Sequence, residues 1–170
     1  MNTEIEFLGK KFKNPIVPAS GTFGFGYEFA DLYDINILGS ISIKGTTLAP
    51  RYGNPLPRIA ECPAGLINSI GLQNPGVDKV VSEELVKLGK VYKDQVIANV
   101  GGHSQYEYVE TVKKFNKCDK VFAVELNISC PNVDGGGMAF GVDPHTAYEL
   151  VSAVRKVCKK PLIVKLSPNV

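Results

Sequence analysis

Val121-Phe122-Ala123-Val124-Glu125-Leu126-Asn127 reads as a short, mostly apolar strand that stops on an amide. A Gly-rich loop runs from it to about Asp143. A helix is predicted from Pro144 to Val157, with proline at its start where a missing N–H costs nothing. The next strand is Pro161-Leu162-Ile163-Val164-Lys165-Leu166. Upstream, Gln95-Val96-Ile97-Ala98-Asn99-Val100 is another apolar strand, followed by a helix from Tyr106 to Phe115. Strand, loop and helix repeat. Strands this short and apolar suit a parallel sheet buried on both faces.

The same rhythm extends toward the N-terminus. Glu4 to Phe12 alternates and turns at Gly9-Lys10, which predicts a small hairpin. Pro15-Ile16-Val17-Pro18 is the first core-strand candidate and Ser40-Ile41-Ser42-Ile43 the second, with a helix over Phe29 to Leu32 between them. A Pro- and Gly-rich stretch runs from Thr46 to about Pro75. Val77, Val80, Val81, Leu85 and Leu88 then recur at helical spacing.

A doubly wound sheet and a (βα)8 barrel compete for this pattern. Ser20, Lys44, Asn99, Asn127 and Lys165 each stand at the end of a different apolar strand. A barrel brings five such groups to one rim, whereas an open sheet spreads them along an edge. The expected fold is therefore an α/β TIM barrel. A complete one takes roughly 250 residues. At 170 residues the chain is expected to supply about the first five strands, with residues 1–170 the N-terminal part of a single barrel domain. Either the remainder has been lost or something covers the open edge.

Composition excludes several classes. Nineteen Lys and Arg against 17 Asp and Glu give a net charge of +2, which offers no reason for a nucleic-acid or anionic-membrane partner. No apolar run reaches the roughly 18 residues of a membrane span. The start, Met1 to Glu6, lacks the apolar core of a signal peptide, so a cytoplasmic location is expected. Cys62, Cys118, Cys130 and Cys158 show no tight spacing, and the histidines are His103 and His145 alone. Disulfides and a zinc or iron–sulfur site in this chain are not expected.

Cys130 lies in a long loop after a strand, between Ser129 and Pro131-Asn132. It is either a small buried hydrophobe, as most free cysteines are, or a functional thiol. A populated thiolate takes a proton, and positive charge from Lys44 or Lys165 would favour it. Asn68, Asn127 and Asn132 fall in strand-end loops. Each amide offers donor and acceptor together and would match a pyrimidine dione, although asparagine also suits turns. Lys44 and Lys165 either meet an anion or an electron-rich ring, or reach out to solvent. Gly24-Phe25-Gly26 lacks the third glycine of a dinucleotide fingerprint. Gly135-Gly136-Gly137 lacks the Lys-Ser/Thr of a phosphate loop and is expected to form a mobile lid. His103 reads as structural or as a cap.

Three stretches together resemble dihydroorotate dehydrogenase: Ser42-Ile43-Lys44-Gly45-Thr46, Asn68-Ser69-Ile70-Gly71-Leu72, and Asn127-Ile128-Ser129-Cys130-Pro131-Asn132-Val133. The likeness runs in order from Asn14-Pro15 to Lys165-Leu166-Ser167-Pro168. The resemblance implies an FMN barrel of pyrimidine biosynthesis that oxidises dihydroorotate to orotate. It implies that Cys130 is the base removing the C5 proton while a hydride leaves C6 for the flavin. It assigns Lys44, Asn68, Ser69, Ile70, Gly71, Leu72, Asn127 and Asn132 to the substrate. It assigns Ser20, Lys44, Gly45, Asn99, Asn127 and Lys165 to the flavin.

A cysteine base marks class 1, and the lid from Val133 to Pro144 resembles class 1B. That kinship implies a partner subunit carrying FAD and a [2Fe–2S] cluster that passes electrons to NAD; a homo-oligomer is also expected. The family's flavin phosphate site lies after the late strands, so 170 residues alone are expected to hold FMN weakly or not at all. Two other readings compete. One is a non-catalytic half-barrel. The other is a flavin enzyme of another pyrimidine, similar to dihydropyrimidine dehydrogenase, which typically has His where this chain has Asn132.

Overall fold

The computed structural model describes residues 2–129 and 138–167. Cys130, Asn132 and the glycine triplet, on which the sequence reading placed the base, a substrate contact and the lid, lie outside the described residues. The chain opens with an antiparallel hairpin, β1 (Ile5–Phe7) and β2 (Lys10–Phe12). Its turn is Leu8-Gly9, one residue earlier than expected. Both residues have positive φ (52° and 75°), the signature of the turn that matches strand twist.

Three parallel strands form the centre: β5 (Val96–Val100), β6 (Val121–Asn127) and β7 (Leu162–Lys165), in that order. Asn99 pairs with Glu125 across the first interface, and Asn127 with Lys165 across the second. The two earlier barrel positions are occupied but are not regular strands, contrary to expectation. Residues 41–46 run alongside β5, with Ile43 N–H donating to Ile97 C=O at 3.0 Å and Thr46 N–H to Asn99 C=O at 2.9 Å. The segment from Ile16 to Pro18 touches the next through Ser42 N–H to Pro18 C=O at 3.3 Å. Pro15 and Pro18 have no N–H to give, so that ladder cannot be completed. The five positions nevertheless follow one another in parallel, as in a barrel wall.

Helices cover the outside. A one-turn helix, α1 (Ser20–Phe23), is followed by a 3-10 helix over Tyr27–Asp31, which overlaps the helical stretch expected from Phe29 to Leu32. The stretch expected as loop contains an antiparallel hairpin, β3 (Ile59–Cys62) and β4 (Gly65–Asn68). Its Ile59, Leu66 and Ile67 are mostly exposed, so no burial pattern announced it. The helix predicted from Val77 runs as α2 (Val77–Lys79), a π-turn (Val80–Glu84) and α3 (Leu85–Val91). Next come α4 (Gln105–Phe115), the single turn α5 (Met138–Gly141) and α6 (Pro144–Val157). Ser104 caps α4 by accepting from Glu107 N–H at 3.3 Å, while the Glu107 carboxylate accepts from His103 N–H at 2.8 Å. Asp143 caps α6, accepting from Thr146 N–H at 2.6 Å.

Strand alternation divides the side chains. Val96, Ala98, Val100, Val124, Leu126 and Ile128 pack outward against Leu88, Tyr108, Val112, Phe115, Leu150 and Val154. Asn99, Glu125 and Asn127 share the other face, where they hydrogen-bond to one another. Full burial of the outward Val, Leu and Ile side chains contributes about 1.5–3 kcal/mol each. The helices therefore hold the strands, and the strands hold the polar face.

Candidate active site

The strand ends close around a cavity of about 310 Å³. Ser20, Lys44, Asn99, Asn127 and Lys165, one from each barrel position, all line it, as the barrel reading required. Gly45, Asn68, Ile70, Gly71 and Leu72 complete one wall. Ser69 does not face the cavity. Its hydroxyl accepts from the Asn54 amide at 2.9 Å and its N–H donates to Arg58 C=O, so it braces the neck of the β3–β4 excursion.

That excursion is tied at its base. Arg51 and Asn74 pair antiparallel, and the buried Asn74 amide fastens the neck. Its carbonyl accepts from Thr47 N–H at 3.1 Å and Gly76 N–H at 2.9 Å, and its Nδ2 donates to Leu72 C=O at 2.8 Å. Leu72 itself has φ of 57°, in the region where a branched side chain is uncommon. The turn it makes delivers its side chain onto the Cα faces of Gly45 and Gly101.

Inside the cavity the polar groups are linked. Asn99 is fully buried and donates its amide to Glu125 Oε2 at 2.5 Å, and Ser42 Oγ donates to the same oxygen at 2.7 Å. Asn127 Nδ2 donates to Asn99 Oδ1 at 3.3 Å. Asn127 Oδ1 accepts from Ser129 Oγ at 2.8 Å and from Ser129 N–H at 3.2 Å. Tyr108 of α4 donates to Asn127 C=O at 2.8 Å, fixing the strand end from outside.

A larger concavity of about 610 Å³ lies on the other side of Lys44, where Phe25, Tyr27, Arg51, Asn74 and Glu84 contribute. The hydrogen bond from Tyr27 to Glu84, at 2.7 Å, together with burial holds the Tyr27 phenol well above the ordinary tyrosine range. The smaller cavity is the better candidate site because the five strand ends meet there. Thr22, Ser129, Ser42 and Glu125 belong to this region and were not singled out in the sequence. For Ser42 and Glu125 the signal was period-two alternation within strands read as apolar throughout, whereas Thr22 in α1 and Ser129 beyond the end of β6 gave no such signal. Among the described residues, Cys62, Cys118 and Cys158 are free thiols. No described helix is long and apolar enough to cross a membrane.

A parallel βα wall with a polar cavity at the C-terminal strand ends defines part of a TIM barrel, a fold that binds ligands on that rim. The family model for dihydroorotate dehydrogenase matches residues 2–170, and the chain belongs to that family. The dihydroorotate dehydrogenase B (NAD(+)) catalytic subunit of Anoxybacillus flavithermus is 56% identical over 166 residues, covering 98% of this chain and 53% of the relative. The protein of the same name from Bacillus cytotoxicus is 54% identical over 167 residues, with 98% and 54% covered. The chain thus spans about half the length of the curated relatives it matches. The crystal structure of DHODH from Eimeria tenella in complex with ferulenol superposes with a TM-score of 0.73 at 18% identity, covering 99% of this chain and 53% of that one. The likeness supports the barrel fold.

Proposed function

We propose that this chain forms the strand-end site of an FMN-dependent dihydroorotate dehydrogenase of the NAD-linked type, oxidising dihydroorotate to orotate. The observation that carries the proposal is the meeting of Ser20, Lys44, Asn99, Asn127 and Lys165 around one cavity. The donor set fits the ring of FMN. Ammonium and amide N–H groups share the cavity with the apolar side chains of Ile70 and Leu72, which suits a flat heterocycle with carbonyl acceptors on one edge. FMN, when bound, supplies the two-electron acceptor.

The chain's own residues do the rest. Lys44 and Lys165 place positive charge in the cavity, where a substrate carboxylate and ring carbonyls need it. Asn68 and Asn127, with Asn132 outside the described residues, orient the ring. Ile70, Gly71 and Leu72 cover it and exclude water. Cys130 takes the C5 proton onto its thiolate. A partner subunit bearing FAD and [2Fe–2S] carries electrons to NAD, as the relatives' designation as a catalytic subunit supports. The enzyme works in the cytoplasm as a homo-oligomer.

The test uses the full-length protein with its flavin, mixed anaerobically with dihydroorotate. Bleaching of the flavin is expected, and loss of that bleaching by orders of magnitude near pH 7 in Cys130→Ser. Unchanged bleaching in the variant would remove Cys130 from the reaction. A flavin reduced by dihydrouracil and not by dihydroorotate would overturn the substrate assignment.

A further inference from the structure

We propose that Glu125 is a positioning residue that acts through Asn99 and, together with the Ser129 N–H at the other end, holds the Asn127 amide in one polarity, so that Asn127 meets the ligand as an N–H donor. The ligand side of this inference rests on the proposed dihydroorotate site. The relay itself does not.

The hydrogen-bond inventory forces each orientation. A carboxylate only accepts. Glu125 Oε2 receives both Ser42 Oγ and Asn99 Nδ2, so the Asn99 amide nitrogen must face it. Turning Asn99 over would set carbonyl against carboxylate in a fully buried place, which is costly. The Asn99 carbonyl is thereby left for Asn127 Nδ2. At the far end a backbone N–H only donates, so Ser129 N–H holds the Asn127 carbonyl, reinforced by Ser129 Oγ. The whole chain points one way, from Ser129 to Glu125.

Specificity follows. The Asn127 carbonyl is consumed within the chain, and one of its two amide hydrogens is given to Asn99. What Asn127 presents to the cavity is its second N–H. A ligand with a carbonyl or carboxylate oxygen at that point is accepted, and one with a ring N–H there is refused. Glu125 lies beneath the cavity lining, and the relay it anchors ends on Ser129, the residue before Cys130.

The test takes full-length flavin-loaded protein as wild type, Glu125→Ala, Glu125→Gln, Asn127→Ala and the Glu125→Ala/Asn127→Ala double variant. Selective 15N-asparagine labelling reports the Asn127 side-chain amide, identified by its disappearance in Asn127→Ala. Orotate affinity is read from the flavin spectrum. In Glu125→Ala the Asn127 amide signals are expected to move and orotate binding to weaken about tenfold, the scale of one lost hydrogen bond. Glutamine keeps an acceptor in place and should restore both. With Asn127 already truncated, removing Glu125 should change affinity by less than about twofold.

Unmoved Asn127 signals in Glu125→Ala would overturn the proposal. So would a loss of affinity that persists undiminished in the double variant, or a glutamine variant that behaves as alanine does. If alanine prevents folding, Glu125→Met takes its place. A wild-type flavin indifferent to orotate would overturn the functional reading, and the amide signals would then decide the relay alone.

Discussion

Leu72 lies so close over Gly45 that a Cβ on the glycine would come within 2.7 Å of Leu72 Cδ1 and 2.9 Å of Asn99 Oδ1. Gly45 is therefore the point at which the excursion meets the barrel wall. Gly45→Ala should force Leu72 off its seat and push against the Asn99 carbonyl. Overpacking of this kind costs typically about 1–3 kcal/mol. Denaturant unfolding of the full-length variant should show that loss, and ligand affinity should fall with it. Gly101→Ala meets only Leu72, with Cδ2 at 2.9 Å, and should be the milder of the two.

Asn74 holds the neck with both ends of its amide. Asn74→Ala leaves the N–H groups of the buried Thr47 and Gly76 without their acceptor. An unpaired buried group costs about 1–3 kcal/mol. The variant should unfold at correspondingly lower denaturant. Hydrogen exchange should rise first between Arg51 and Asn74. Exchange that rises uniformly over the chain would count against Asn74 as a local fastener.

Tyr108 joins α4 to the end of β6 through its hydroxyl and the Asn127 carbonyl. Tyr108→Phe keeps the ring, which packs edge-on to Phe140 at 5.8 Å, and removes that bond. A loss of about 1 kcal/mol in stability is expected. Because the bond sits directly behind Asn127, orotate affinity should weaken as well. A stability loss with unchanged affinity would separate the strand end from the site.

Asp143 gives a pH signature. Its carboxylate accepts from the N–H of Thr146, which holds its pKa below the usual carboxylate range. A group depressed on folding contributes stability above its unfolded pKa and loses it as pH falls through the folded one. The gap in Tm between wild type and Asp143→Ala should hold steady from neutral pH down to about pH 5, then close on further acidification. Asparagine also caps without titrating, so Asp143→Asn should show no such closure.

Some of this organisation was legible and some was not, for physical reasons. Helix α6 was read to the residue because Pro144 starts it and its apolar spacing is regular. Strands β5 to β7 were plain from their apolar runs, and the polar residue closing each of the five wall segments told the barrel from the open sheet. The first two wall segments were placed correctly but lack regular ladders; in the first, Pro15 and Pro18 withhold donors, and the second joins β5 only through isolated bridges at Ser42 and Thr46. The β3–β4 hairpin was invisible because its apolar side chains face outward. Glu125 was missed for a different reason. It sits in a strand read as apolar on both faces, yet the inward face changes from Ala123 below to Glu125 and Asn127 at the rim.

The tied neck at Arg51 and Asn74 separates two sets of contacts. Lys44, Asn99, Asn127 and Lys165 belong to the wall, while Asn68, Ile70 and Gly71 arrive on the excursion. The anchor of the excursion does not depend on its tip. The fold thus treats this wall of the pocket as a cassette: its tip can be lengthened, shortened or rewritten while the wall beneath keeps its register, and preference for one ring over another can drift without disturbing the groups that face it from below.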